Sequence, residues 1–93
     1  MRAIWNGVVL AESDQTVVVE GNHYFPPESL NREALVGSHT TSRCPWKGSA
    51  NYVTAVAGGA EHPDAGWYYS QPLAAAAQIQ NHVAFWRGVE ILP

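Results

Sequence analysis

The dipeptide Asn6-Gly7 stands between two short apolar runs, RAIW and VVLAE. Both residues tolerate positive φ, which a type I′ turn requires at its two inner positions. The pair therefore predicts a tight hairpin at the start of the chain, and a hairpin commits its arms to antiparallel pairing. SDQ then turns the chain into TVVVE, whose β-branched run suits a pleated strand. Gly21-Asn22 is a second two-residue turn signal and leads into HYF. Pro26-Pro27 ends this meander, because neither proline can donate to a ladder.

Beyond the prolines, ESLNREALVG places Leu30, Ala34 and Leu35 near helical spacing with Gly37 as a stop, and predicts one or two helical turns. HTTSRC and SANYVTAV read as strands joined by CPWKG. Pro45 presets the φ that suits the first inner position of a type I turn, and Gly48 can take the left-handed conformation that closes the loop. CPWKG is thus expected to be a hairpin tip, with Cys44 ending one strand and Lys47 in the loop. AGGAEHPDAG reads as a polar, glycine-rich, mobile loop, and WYYS as an aromatic strand.

The convincing helix begins at Pro72. Ser70 can cap it, proline suits the first turn, and the alanine run has the highest helix propensity. Leu73, Ala76, Ile79, Val83 and Trp86 follow one another at three or four residues and would form one buried stripe. Gly88 ends this element, and VEIL closes the chain as a strand. The expected architecture is mainly β (α+β): about seven strands in two packed or partly closed antiparallel sheets, with one C-terminal helix covering an open edge or face. A bare edge invites pairing with another chain, so the helix or a homodimer must cover it.

A chain of 93 residues is expected to form a single domain over 1–93. Charged residues make up 14%, well below the roughly 25% of soluble domains. With four Trp and four Tyr, some rings should stay partly exposed, which favours a pocket or an interface. The net charge is −3 and the five basic residues are scattered, which argues against nucleic acid as a partner. No apolar run approaches the roughly 20 residues that span a bilayer, so no membrane is expected. Asn6-Gly7 interrupts a very short apolar start, unlike a signal peptide. One cysteine cannot form an internal disulfide, and the expected compartment is the reducing cytoplasm. Cys44 with His23, His39, His62 and His82 offers none of the paired short spacings of a zinc site, so neither metal nor cofactor is called for.

TTSRCPWKGSANY, WYYSQP and NHVAFW together resemble the domain of unknown function 427 family, small bacterial proteins sometimes labelled nucleotidyltransferase-like. Similar members share a Cys-Pro-Trp-Lys-Gly core, a Tyr four residues after the Gly, a Trp/Tyr-Tyr-x-x-Pro stretch and a His/Tyr-Val-Ala-Phe close. These fall here on Cys44 to Gly48, Tyr52, Trp67 to Pro72 and His82 to Phe85. The resemblance implies a compact β-rich domain and carries over no reaction. The transferase label finds little support in the residues. Only Asp14 and Asp64 are present, far apart, with no Asp-x-Asp and no phosphate-cradling glycine loop.

The chemistry-bearing residues gather around CPWKG. Lys47 is the only lysine and lies beside Trp46, so it could hold an anionic ligand whose flat part stacks on indole. The expected function is a small-molecule pocket, for an anionic or nucleotide-like ligand, drawn from Cys44, Trp46, Lys47, Tyr52, Trp67 and Tyr69, with His39 and His82 as further candidates. The alternative is a protein-interaction or dimerisation module without chemistry, which exposed aromatics and few charges fit equally well. Cys44 would be a nucleophile if His39 served as its base. Five residues apart on a strand, however, the two side chains fall on opposite faces unless a bulge intervenes. A packed thiol is the expected outcome, and no residue is assigned a catalytic role. His82 follows Ile79 by three residues and is expected to be buried, satisfied by a backbone carbonyl.

Overall fold

The computed structural model describes residues 1–93. The first turn forms as its residues dictate: φ is 50° at Asn6 and 76° at Gly7, and Trp5 faces Val8 across it. It joins β1 (Arg2–Trp5) to β2 (Val8–Glu12), and β1 takes the closing strand β9 (Glu90–Leu92) on its other side. The second turn lies one residue earlier than expected. Glu20 and Gly21 hold the positive φ values, 54° and 79°, and Val19 pairs with Asn22 between β3 (Val17–Val19) and β4 (Asn22–Tyr24). A left-handed conformation is costly for glutamate. Here the carboxylate is held by the Lys47 ammonium.

The helical turns expected after Pro27 reduce to one 3₁₀ turn, Pro27–Ser29. Long-range backbone bonds take the rest: the Asn31 N–H donates to the Leu10 carbonyl at 2.8 Å, and the Val56 N–H to the Ala34 carbonyl at 2.8 Å. Leu35 then opens a long strand, and Gly37 sits inside it rather than stopping a helix.

Four strands form the largest sheet: β5 (Leu35–Cys44), β6 (Gly48–Ala57), β7 (Ala60–Tyr68) and β8 (Ala84–Phe85), in that order and antiparallel throughout. The stretch expected to be a mobile loop is therefore a hairpin, turning at Gly58-Gly59. Its polar composition reflects strand residues such as Glu61, whose side chain is exposed. Pro63 is tolerated beside an irregularity between Val53 and Ala55, where Asp64 takes φ 52° and the ladder is broken. β5 lies at the open edge of this sheet, and its own pairing is interrupted between Gly37 and Thr41. Such a break blunts an edge that would otherwise template further pairing.

The C-terminal helix is not formed. Residues Ala74–Ile79 make 3₁₀ turns, Ala76 leaves helical geometry at φ −117° and ψ 19°, and no side chain caps the start. Alanine propensity is outweighed here by backbone pairing with distant strands. The Leu73 N–H donates to the Lys47 carbonyl at 2.9 Å, and the Asn81 N–H to the Tyr69 carbonyl at 3.0 Å. Phe25 and Val83 exchange bonds of 2.8 and 2.9 Å, and Ala84–Phe85 pair with β7. A continuous helix to Trp86 would forfeit these bonds, and a short isolated helix is only marginal in water. Ala76, Ile79 and Val83 are buried as the stripe required, while Leu73, 42% exposed, falls outside it.

The fold is thus mainly β: nine strands in three antiparallel sheets, rather than about seven strands in two sheets with a helix. Alternation along the four-stranded sheet supplies a core to each face. One gathers Leu10, Phe25 and Phe85, with Leu35, Val53 and Tyr68 packed against it. The other gathers Tyr24, Tyr69 and Ile79, with Cys44, Tyr52 and Trp67 packed against it. No helix is long and apolar enough to cross a membrane.

Candidate functional site

CPWKG closes β5 onto β6 as the turn residues require, with Cys44 paired to Gly48 and φ +110° at Gly48. From this tip Lys47 folds inward. It is only 7% exposed, and its ammonium pairs with Glu20 on the β3–β4 turn. The nitrogen also stands 5.3 Å from the Trp46 ring centre and 5.7 Å from that of Tyr69. Burial pulls the Lys47 ammonium toward deprotonation. The Glu20 hydrogen bond and the neighbouring Tyr24 and Tyr69 hydroxyls outweigh it, so its pKa is raised. The same hydrogen bond, with smaller help from the Trp46 indole, lowers the Glu20 carboxyl. Burial raises the Tyr69 phenol.

Strand periodicity places Cys44, Tyr52, Trp67 and Tyr69 on one face of the sheet. Cys44 is half-buried and free, packed against the second core. Tyr69 lies within that core. Tyr52 and Trp67 are half-buried and belong to a run of rings that also takes in Tyr24 and Trp86. Trp67 meets Tyr24 edge-on at 6.3 Å and Trp86 edge-on at 5.3 Å, and Tyr52 lies 6.4 Å from Trp86. Their polar atoms are already engaged. The Trp67 indole donates to the Tyr24 hydroxyl at 3.1 Å, the Trp86 indole donates to the Asp64 carbonyl at 2.7 Å, and the hydroxyls of Tyr52 and Ser42 share a 2.9 Å bond. These bonds fix the ring planes and leave half-buried hydrocarbon faces.

Trp46 stays at the tip, 40% exposed. His39 is exposed at the broken part of β5. His82 is half-buried, and its ring nitrogen bonds the Gln80 carbonyl at 2.9 Å. No three His, Cys, Asp or Glu side chains converge where a metal ion could sit.

Five contributors escaped the sequence reading. Glu20, on the β3–β4 turn, and Tyr24, at the end of β4, approach Lys47 from 27 and 23 residues away, a pairing no local pattern announces. Trp86 ends NHVAFW and so carries a signal, but the apolar spacing predicts it on a helix. Asp64 receives the Ser38 and Thr40 hydroxyls at 2.6 and 2.8 Å, which lower its carboxyl with further help from Arg87. Arg87 itself lies over Trp86 at 4.0 Å.

A cavity of about 340 Å³ opens on the other face of the sheet, between Leu30, Leu35, Val53 and Val83, and none of the eight residues singled out in the sequence lines it.

No protein of curated function matches the chain. The profile of one family, described as Domain of unknown function (DUF427), matches residues 1–91. With that match over nearly its whole length, the chain, whose Cys-Pro-Trp-Lys-Gly turn joins the edge strand β5 to β6, belongs to the DUF427 family.

Proposed function

We propose that this is a small-molecule-binding domain, and that its ligand is a flat, anionic or nucleotide-like molecule that stacks on one ring of the Tyr52–Trp67–Trp86 cluster and meets its inclined neighbours along an edge. The observation that carries the reading is the ring surface itself: three contiguous aromatic side chains, half-buried, whose polar atoms are spent on fixing them. Aromatic area held rigid and left partly wet is what a stacking ligand needs, because little ordering remains to be done on binding. Lys47 does not serve this ligand directly, since its charge is turned inward onto Glu20. It anchors the hairpin tip, which puts Cys44 and the start of β6 beside the rings. The cation next to the ring surface is Arg87, exposed over Trp86, and it is the group that would meet an anionic substituent.

Thermal-shift screening against nucleotides and aromatic metabolites tests the reading. A ligand at about 100 times its dissociation constant should stabilise the wild type by roughly 2.7 kcal/mol. Tyr52→Leu and Arg87→Gln should each lose most of that shift while folding normally. A compound that stabilises the wild type and both variants equally binds elsewhere and overturns the assignment.

A further inference from the structure

We propose that the cavity on the opposite face of the sheet is a separate binding site, for a small amphipathic carboxylate. Its volume, about 340 Å³, falls within the roughly 300–1,000 Å³ of small-molecule pockets. The floor is aliphatic, from Leu30, Leu35, Val53 and Val83. The rim is polar, from Arg32, Tyr68 and Asn81. An apolar lining with a few convergent polar groups is the composition of a ligand site rather than of a packing defect.

The rim has bonding capacity to spare. Arg32 donates once, to the Pro27 carbonyl at 3.3 Å, from a guanidinium that carries five donors. The one ion pair of the chain is Lys47–Glu20, so no carboxylate of the protein neutralises Arg32. Asn81, which also lines the cavity, is held in the left-handed region at φ 60°, with its backbone N–H on the Tyr69 carbonyl at 3.0 Å. A guanidinium and an amide donor lining one cavity match a carboxylate, which accepts two parallel bonds from arginine. An amine would be repelled there, and a neutral chain would leave Arg32 unanswered.

Gly37 supplies an independent observation. It lies within β5 with no positive φ, and a Cβ built on it meets nothing within 4 Å. Neither a turn nor a close neighbour therefore requires glycine, which weakens a strand interior. It pairs with Val53, whose side chain lies toward the first core, so the absent side chain is one that would enter the cavity it lines. Glycine here keeps the hollow open. Tyr68 lies on this face and Trp67 on the other, so the site stands independently of the ring surface.

Titrating the isotope-labelled protein with octanoate, octanol and acetate tests the proposal. Octanoate should bind saturably and shift the methyl signals of Leu35, Val53 and Val83. Octanol should bind about tenfold more weakly or worse, since a hydrogen bond to a charged group is lost, and acetate should not bind. Arg32→Gln should bring octanoate down to the octanol level. Gly37→Leu should fold as the wild type does and lose octanoate. Equal binding of octanoate and octanol, shifts confined to Trp67 and Trp86, or unchanged binding by Arg32→Gln would each overturn the proposal. Should Gly37→Leu fail to fold, Arg32→Gln, an exposed change, decides alone.

Discussion

Lys47 shows how one side chain can be legible and misread at once. Its place in a hairpin tip follows from Pro45 and Gly48, and its company of rings follows from strand alternation. Its charge, however, is committed to Glu20 across 27 residues, and nothing local in the sequence encodes that distance. The pair has a definite pH signature. Glu20 is lowered in the folded state, so its contribution is present above the ordinary value of about 4.3 and is lost as pH falls through the folded value. Lys47 is raised, so its contribution is complete below about 10.4 and is lost as pH rises through the folded value. Glu20→Gln should therefore lower the melting temperature across the neutral range. Its difference from wild type should shrink below about pH 4 and again above about pH 10.4. Asp64 gives the protein a second acid-sensitive carboxylate, but the difference between wild type and Glu20→Gln isolates the pair. Lys47→Ala also removes a buried aliphatic stem and should cost on the order of 1–3 kcal/mol by denaturant unfolding. A melting difference that is flat from acid to alkali would show that the pair stores no stability.

Among the elements, those set by turn chemistry and alternation were legible, while those set by distant backbone pairing were not. Asn6-Gly7 and CPWKG fix their hairpins within a few residues, and TVVVE and SANYVTAV carry the β-branched content of strands. AGGAEHPDAG hid a strand because it holds no large apolar residue, and its buried residues, Ala65 and Gly66, are too small to register as a hydrophobic pattern. The segment after Pro72 carried helix propensity, yet its backbone is claimed by Lys47, Tyr69 and Phe25. Gly66 shows how closely β8 seats on β7: a Cβ there would stand 2.9 Å from the Ala84 carbonyl oxygen and 3.0 Å from atoms of Phe85 and Val83. Gly66→Ala must push β8 outward, and should cost on the order of 1–3 kcal/mol, read as a lower denaturant midpoint with an unchanged slope. An unchanged midpoint would mean that β8 yields freely and does not hold the ring face in place.

For the molecule as a whole, the four-stranded sheet is the organising surface, with a core and a candidate binding region on each side. Part of it was legible in the runs HTTSRC, SANYVTAV and WYYS, whereas most of β7 reads as a loop and β8 as helix. The third sheet and the cavity were not legible, because both arise where segments far apart in the chain close on one another. The central claim is that the Tyr52–Trp67–Trp86 face receives a ligand, and the four tryptophans are built-in reporters of it. The most direct measurement follows the indole N–H signals during titration with the compound giving the largest thermal shift. Trp67 and Trp86 should move saturably and together, while Trp5, packed by the other core, stays still. Movement of Trp5 or of the cavity residues Val53 and Val83, with Trp67 and Trp86 unmoved, would contradict the account.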